Sequence, residues 1–283
     1  QVNDGGGRNN ANFSTPPDGM APRMQMYLFT RRDVNSSDMA DIVYHEYGHG
    51  LSNRLVVNAS GGSALSGFQS KMMGEAWSDF YALDLLVHEG HLTDTPTPGE
   101  LQMGYYVESP GGIRFKPIDC PVNQTETTAA CNGTPALVAP IKGGFTYGDI
   151  VPMYALLTSP PFAPLYNEGP HDGGEIWGET LWDIRTALGR EAALALITGG
   201  MRLSVDSPSM LDMRDAILQQ AVAMRSAPGA PDDYYEALWE IFAKRGMGAD
   251  ATTRSAGSTT PNEGFGLAVS YTHLRAHETR HDL

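Results

Sequence analysis

Apolar positions along the chain separate a short strand-like stretch near the beginning from a long helical remainder. Met24, Met26 and Leu28 alternate with other residues, which predicts a strand over residues 24–29. Farther along, apolar residues recur three and four positions apart, which is typical of helices with one buried face. The predicted helices span residues 39–55, 66–87, 173–188, 190–204, 208–225 and 232–245. The pattern therefore predicts the α+β class, with a mostly α C-terminal part.

The other segments lack this periodicity. Clustered Gly, Asn and Pro predict turns over residues 1–23, and many Pro and Gly predict a long irregular segment over residues 90–165. Ser36, Ser37 and Asp38 offer an N-cap for the first predicted helix. We find no internal repeat.

Composition and charge exclude several classes of function. The chain has 283 residues, 41% of them hydrophobic, which suffices for one large domain or two small ones. A net charge of −14 without a basic cluster argues against a nucleic-acid partner. No apolar run reaches the length of a membrane span. The first residues are polar and do not resemble a signal segment, so we expect a fragment or a processed product.

The two cysteines indicate the redox compartment. Cys120 and Cys131 lie 11 residues apart in a polar stretch of a chain with no other cysteine. Such a pair predicts a local disulfide and an oxidising compartment. The alternative is two unrelated free thiols. A disulfide closing so short a loop would stabilise the fold by roughly 3 kcal/mol.

The first predicted helix carries the candidate chemistry. His45 and His49 share one helical face, so both imidazoles can reach a single metal ion. Glu46 follows His45 directly and can flank a metal-bound water as a general base, as in the H-E-x-x-H motif of zinc hydrolases. The alternative is a chance match on an ordinary helix. Gly48 and Gly50 lower helix propensity, which predicts that another part of the chain approaches this helix closely.

The second predicted helix offers what the motif lacks. A catalytic zinc normally takes three protein ligands and leaves one position open. Glu75, 26 residues after His49, is the candidate third ligand. Asp79 lies four residues later on the same face and can accept the Nδ1–H of a ligating histidine, which fixes its tautomer. Taken alone, each would be an ordinary helix carboxylate; next to the histidine motif, they form the pattern that a two-helix zinc site requires.

Four separated blocks of sequence occur in a fixed order along roughly residues 8–248. The blocks are Asn9-Asn10-Ala11-Asn12-Phe13 followed by Thr15-Pro16-Pro17-Asp18-Gly19, then His45-Glu46-Tyr47-Gly48-His49-Gly50-Leu51, Gly74-Glu75-Ala76-Trp77-Ser78-Asp79, and His171-Asp172-Gly173-Gly174-Glu175-Ile176-Trp177. Together they resemble one known family, the fungalysin-type secreted zinc metalloendopeptidases, which are thermolysin-like gluzincins. The interval between the second histidine and the glutamate is longer than in thermolysin, which favours the fungalysin family.

The resemblance implies a mechanism. One catalytic Zn²⁺ would be held by His45, His49 and Glu75. Glu46 would deprotonate a zinc-activated water and pass the proton to the leaving amine. Asp79 would orient a ligating histidine. The sequence gives no support for an additional Ca²⁺.

The resemblance also implies residues that contact the substrate. Asn10 and Ala11 look like the edge-strand pair that holds a peptide by its backbone. His171 matches the histidine that stabilises the oxyanion, with a solvent-facing histidine at a helix start as the alternative. A thermolysin-like site also uses a tyrosine phenol, for which Tyr147 is the best candidate. Tyr105 and Tyr106 are the other candidates. All three are weak, because thermolysin carries its tyrosine between the second histidine and the glutamate, and this chain has no tyrosine between His49 and Glu75.

At the level of the whole protein, the resemblance implies a secreted, extracellular, monomeric enzyme that cleaves proteins or peptides and is made with an autoinhibitory propeptide. A β-rich region would precede the zinc helix, and we expect most of it to be missing here. The expected division is a substrate-binding β part at 1–37 and a helical catalytic part at 38–268. The alternative is a truncated fragment that binds zinc and peptide without efficient cleavage. A serine or nucleotide-dependent hydrolase is set aside, because no G-x-S-x-G or phosphate-loop motif occurs.

The last residues read differently from the rest. Residues 269–279 resemble the translation of an adapter used in preparing sequencing libraries. The functional alternative is a second metal cluster built from His273, His277 and His281. We interpret residues 269–283 as a non-native tail and exclude them from the fold.

Overall fold

Helices and short antiparallel strands together give the predicted α+β class. No helix in the part of the chain that the structure covers has both the length and the apolar character of a membrane span. The computed structural model describes residues 2–17, 19–122, 129–132, 143–158, 169–225 and 234–268. The interpretation of residues 269–283 as a tail lies outside these ranges.

Two hairpins form the β part. Strand β1 (Ala11–Ser14) pairs antiparallel with β2 (Arg23–Met26), and β3 (Leu28–Phe29) pairs with β4 (Val34–Asn35). The single strand predicted over 24–29 is therefore two strands, because the chain changes its pairing partner after Met26. The segment read as turns also contains β1, which the short alternation in its sequence did not reveal.

Helix α1 (Ala40–Leu55) confirms the predicted first helix, but its cap differs from the prediction. Residues 36–38 form a separate 3₁₀ turn, capped by Asn35, whose Oδ1 accepts the N–H of Ser37 at 3.0 Å. Met39 then occupies the N-cap of α1 and makes no side-chain cap bond. The polar residues at 36–38 thus belong to a turn that precedes the helix.

Helix α2 (Phe68–His88) confirms the second predicted helix and packs against α1. A Cβ at Gly48 would lie 2.7 Å from the backbone Cα of Ser78 on α2, and one at Gly50 would lie 2.7 Å from the Phe13 ring. Both glycines therefore permit the close approach that the sequence predicted. Their contacts bring α1 between the β1 strand and α2.

Four later helices confirm their predictions within a few residues, whereas two others were not predicted. The single turn Ala129–Asn132 and the helix Ile150–Thr158 both lie inside the segment predicted to be irregular. Pro152 reads as a helix breaker in the sequence, but it occupies the first turn, where a missing N–H breaks no helical bond. The remaining helices are α3 (Ala129–Asn132, a single turn), α4 (Ile150–Thr158), α5 (Gly169–Leu188), α6 (Arg190–Leu203), α7 (Met210–Arg225) and α8 (Tyr234–Lys244).

The main core forms where α5 packs on α2. Trp77 of α2 and Trp177 of α5 are both fully buried there, and α6, α7 and α8 pack around them. A smaller cluster joins the strands to α1 through Met26, Phe29 and Ile42. The predicted disulfide between Cys120 and Cys131 is present, and both residues are buried.

Candidate metal centre

Three predicted ligands from two helices meet at one point. His45 and His49 lie one turn apart on α1, and their Nε2 atoms are 3.1 Å apart. Glu75 comes from α2, and its Oε2 lies 3.3 Å from the Nε2 of His45 and 3.7 Å from that of His49. The close packing of α1 on α2 at Gly48 allows this approach. The three side chains form the only group among the described residues spaced to hold a metal ion.

The spacing fits a small divalent cation. Zinc–nitrogen and zinc–oxygen bonds of about 2.0–2.1 Å place tetrahedral ligand atoms about 3.3 Å apart, close to the three separations observed. The Oε2 of Glu75 is buried and accepts no hydrogen bond from the described residues. A buried carboxylate oxygen without a donor is costly unless a cation satisfies it. The residues therefore fit a zinc-type ion.

The surroundings of two of the ligands, His49 and Glu75, leave their lone pairs available. Burial lowers the pKa of His49 to about 4, which leaves its imidazole neutral. Burial opposes ionisation of Glu75, but His171 and His49 outweigh it and hold the pKa of this carboxyl well below its ordinary value. A neutral imidazole beside an ionised carboxylate is the state in which both residues can bind a metal.

Asp79 contacts His45 as predicted for an orienting residue. Its Oδ1 lies 2.6 Å from the Nδ1 of His45, so it holds the ring with Nε2 directed toward His49 and Glu75. Burial alone would lower the pKa of His45, but the Asp79 carboxylate more than offsets it and raises this pKa to about 10. The contact fixes both the position and the proton of the Nδ1 atom.

Glu46 lies on α1 beside the ligands without being one of them. It is 4% exposed, and its Oε2 accepts no hydrogen bond from any described residue. Burial raises the pKa of Glu46 to about 7, although the neighbouring His45 partly lowers it. A carboxylate with a pKa near neutrality is suited to exchange protons as a general base.

The other predicted residues line one cleft next to these ligands. Asn10, Ala11 and His171 share with His45 and Glu46 the walls of a cavity of about 570 Å³. This volume is in the usual range for ligand sites. The rest of the lining combines the charged side chains of Arg31, Glu108 and Arg114 with apolar ones, which are Phe29, Ile42, Met103, Ile113 and Phe115.

Two of these cleft residues occupy positions that suit a substrate. Strand β1, which begins at Ala11, pairs only with β2 among the described strands, so its other edge has no strand partner. His171 lies in the first turn of α5, with its Nε2 3.1 Å from the Oε2 of Glu75. The prediction started α5 at residue 173; the helix begins four residues earlier and includes His171.

The expected tyrosine is not found in the cleft. Tyr147 is fully buried in the main core, and its hydroxyl donates to the Oε1 of Gln69 at 3.0 Å. The proposal of Tyr147 as the phenol is therefore wrong. Tyr105 lines a neighbouring groove that shares Ile113 and Arg114 with the cleft, and Tyr106 is not among the residues that line either one. No tyrosine lines the cleft in the described part of the chain.

Arg114 is a further residue of this centre that the sequence does not predict. Its Nε donates to the Oδ2 of Asp79 at 2.7 Å and its Nη2 to the Oδ1 at 3.0 Å, and the guanidinium side chain is 6% exposed. Arg114 comes from the segment read as irregular, 35 residues after Asp79. No local pattern signals such a contact, although a lone arginine among apolar residues (Ile113 and Phe115) is a weak indication of a buried partner.

Comparison with known proteins relates most of the chain to one family. The family model described as fungalysin metallopeptidase (M36) matches residues 1–251. The extracellular metalloproteinase MEP of Pyricularia oryzae is 35% identical over 253 residues, covering 88% of this chain and 36% of the relative. The corresponding protein of Aspergillus fumigatus is 34% identical over 251 residues, with the same coverage. The chain thus spans a little over a third of these relatives. By this match over most of its length, the chain belongs to the fungalysin metallopeptidase family.

Proposed function

We propose that this chain carries the catalytic centre of a zinc-dependent endopeptidase. The observation that carries the proposal is the set of His45, His49 and Glu75 donor atoms, spaced 3.1–3.7 Å apart, with the carboxylate of Glu46 buried beside them. The family is one of metallopeptidases, which implies a metal, and the mixed nitrogen and oxygen donors favour zinc. When bound, zinc lowers the pKa of water and polarises a carbonyl group.

Glu46 is the general base in this proposal. It accepts a proton from the attacking water and then donates it to the amine that leaves. Its burial and raised pKa favour both steps, because the protonated and ionised forms are close in free energy near neutral pH.

The substrate contacts follow from the cleft. Asn10 and Ala11 hold the peptide backbone along the unpaired edge of β1, as a strand added to a sheet edge. His171 stabilises the negative charge that develops on the scissile carbonyl oxygen, because its imidazole faces the same space as Glu46. Asp79 keeps the ring of His45 oriented.

The proposal extends to the whole protein. The relatives are named extracellular metalloproteinases, and we propose that the protein is likewise secreted and cleaves proteins or peptides as a thermolysin-like monomer with a propeptide. Residues 1–37 would supply the substrate-binding strand and residues 38–268 the catalytic helices. Residues 269–283 would contribute to neither.

The test compares Glu46→Gln with the unaltered chain, both loaded with zinc. We expect zinc content to stay near one ion per chain in elemental analysis, since Glu46 is not a ligand. Cleavage of an internally quenched peptide should fall by about 10²–10⁴-fold, the usual contribution of a general base.

Glu240→Gln is the matched control, because Glu240 is an exposed glutamate on α8, outside the cleft. It should keep both zinc and activity. Full activity in Glu46→Gln would remove Glu46 from the mechanism. A zinc-loaded chain that binds peptide but never cleaves it would contradict the proposed peptidase.

A further inference from the structure

One buried carboxylate lies behind the cleft and has no place in the mechanism above. Glu175 is on α5, one turn after His171, and is 6% exposed. Its Oε1 accepts the backbone N–H of Phe115 at 2.8 Å, and its Oε2 accepts that of Lys116 at 2.8 Å. A single side chain therefore satisfies two consecutive backbone donors from a segment 60 residues away.

The segment that Glu175 holds has no helix or strand of its own. The carbonyl oxygen of Arg114 accepts a hydrogen bond from the Gln102 side chain at 2.9 Å. Side chains therefore make the hydrogen bonds that a neighbouring β-strand would make in a sheet. Buried backbone donors need such partners. The course of the segment from Arg114 to Lys116 consequently depends on the Glu175 carboxylate.

Arg114 connects this segment to the metal centre. Its guanidinium makes two bonds to Asp79, at 2.7 and 3.0 Å, and Asp79 contacts the Nδ1 of His45 at 2.6 Å. A continuous series of hydrogen bonds therefore runs from Glu175 through the backbone beside Arg114 to the ring of His45. Partners outside the ligand shell commonly affect metal affinity in this way.

We propose that Glu175 is a positioning residue, which fixes Arg114 and, through Arg114 and Asp79, the ring of His45. This inference rests on the proposed metal centre. The same helix thus presents His171 to the cleft and, one turn later, holds the backbone of Phe115, another residue of the cleft lining, through Glu175.

Glu179 provides an internal comparison. It lies one turn farther along α5, is buried, and its Oε2 accepts the backbone N–H of Phe145 at 2.6 Å. Its other partner is Arg245, whose Nη1 lies 2.6 Å from the same oxygen. Glu179 thus braces a loop as Glu175 does, but its bonds lead toward Arg245 and away from the metal ligands.

The experiment measures zinc affinity by competition with a chromogenic chelator, at a temperature where every variant is fully folded by circular dichroism. Glu175→Gln cannot accept both N–H groups, because its amide nitrogen is a donor. We expect it to bind zinc about tenfold more weakly, the lower end for outer-shell changes. Glu179→Gln should change the affinity less than about twofold, even if it lowers the melting temperature. Asp119→Asn, which loses bonds to three other backbone N–H groups, is a second control.

A double-mutant cycle tests whether Glu175 acts through Arg114. We expect Glu175→Ala and Arg114→Ala each to weaken zinc binding, and the double variant to match Arg114→Ala within about twofold, since coupled residues are not additive. Effects that multiply would contradict the proposed route, and unchanged zinc affinity in Glu175→Gln would overturn the positioning role. If the unaltered chain binds zinc but does not cleave peptides, the proposed peptidase fails while this affinity test still decides the role of Glu175.

Discussion

Helix α2 carries a partly buried carboxylate near its middle and a fully buried one near its end, and the two differ in the groups that surround them. Near its middle, the Oε2 of Glu75 faces the imidazole nitrogens of His45, His49 and His171 at 3.1–3.7 Å. Near its end, Asp84 accepts hydrogen bonds from the Nε of Arg185 at 2.8 Å and from the Nε of Arg190 at 2.9 Å. Both carboxylates lie on the same helix, nine residues apart.

The difference shows how one helix holds both a candidate ligand and a structural ion pair. A guanidinium is permanently charged and has no lone pair, so the arginines at Asp84 can only donate hydrogen bonds. Imidazoles offer lone pairs, so the group at Glu75 can share a cation. Both oxygens of Asp84 accept hydrogen bonds, whereas the Oε2 of Glu75 accepts none from the described residues. The unsatisfied oxygen marks the centre that needs a ligand.

Removing the first carboxylate should have the largest effect. We expect Glu75→Ala to weaken zinc binding by more than about 100-fold, because outer-shell changes alone reach about 10–100-fold and Glu75 would be a direct ligand. Peptidase activity should disappear with the metal. Elemental analysis after dialysis against a weak chelator is the measurement. Zinc content equal to that of the unaltered chain would exclude Glu75 as a ligand.

Removing the second carboxylate should affect stability and leave the metal bound. Asp84→Ala deprives two partly buried arginines of a partner, and breaking a buried pair typically costs about 3–5 kcal/mol. Urea unfolding should report that loss in the free energy of unfolding. Zinc affinity of the folded variant should stay within about twofold. A loss of zinc comparable to that in Glu75→Ala would mean that the two places on α2 are not independent.

The sequence predicted one member of this comparison and missed the other. Glu75 was found because the histidine motif defines a ligand set with a known deficit, which a carboxylate on the next helix fills. Asp84 pairs with arginines about 100 residues away, and no motif constrains such a pairing. The same limit hid Arg114 and Glu175, whose contacts join segments 35 and 60 residues apart.

Helices were predicted better than the strands and the connecting segment. Apolar periodicity over 14–21 residues located α1, α2, α5, α6 and α7 within a few residues. Strands of two to four residues are too short to show a period, so the sequence does not reveal β1 and predicts one strand at 24–29 where the structure has two. The prediction of Tyr147 as the tyrosine of the site was wrong for a different reason. It matched a residue type to a role, and no feature of the sequence places Tyr147 in the cleft.

The loss of stability on metal removal should distinguish the Glu75 region of α2 from the Asp84 region. With free zinc at about 100 times its dissociation constant, bound metal stabilises the fold by about 2.7 kcal/mol, which a chelator should abolish in the unaltered chain. Asp84→Ala should show the same loss on chelation, starting from a lower stability. Glu75→Ala should show almost none, since it holds little metal at the same concentration. Thermal unfolding with and without chelator gives all three comparisons, and equal losses in all variants would indicate zinc bound elsewhere.

The smallest predicted effect on stability distinguishes the two arginines that pair with Asp84. Arg190 is 28% exposed and contacts Asp84 alone among the described acidic residues, whereas Arg185 is 13% exposed and also pairs with Asp94 at 2.9 Å. Solvent screens the more exposed pair, so Arg190→Ala should lower the free energy of unfolding by about 1 kcal/mol or less. Arg185→Ala should lower it further, because it leaves two carboxylates with fewer donors. If urea unfolding gave Arg190→Ala a loss as large as Asp84→Ala, Arg190 alone would neutralise Asp84, and the pairing with Arg185 would contribute nothing to the stability of that end of α2.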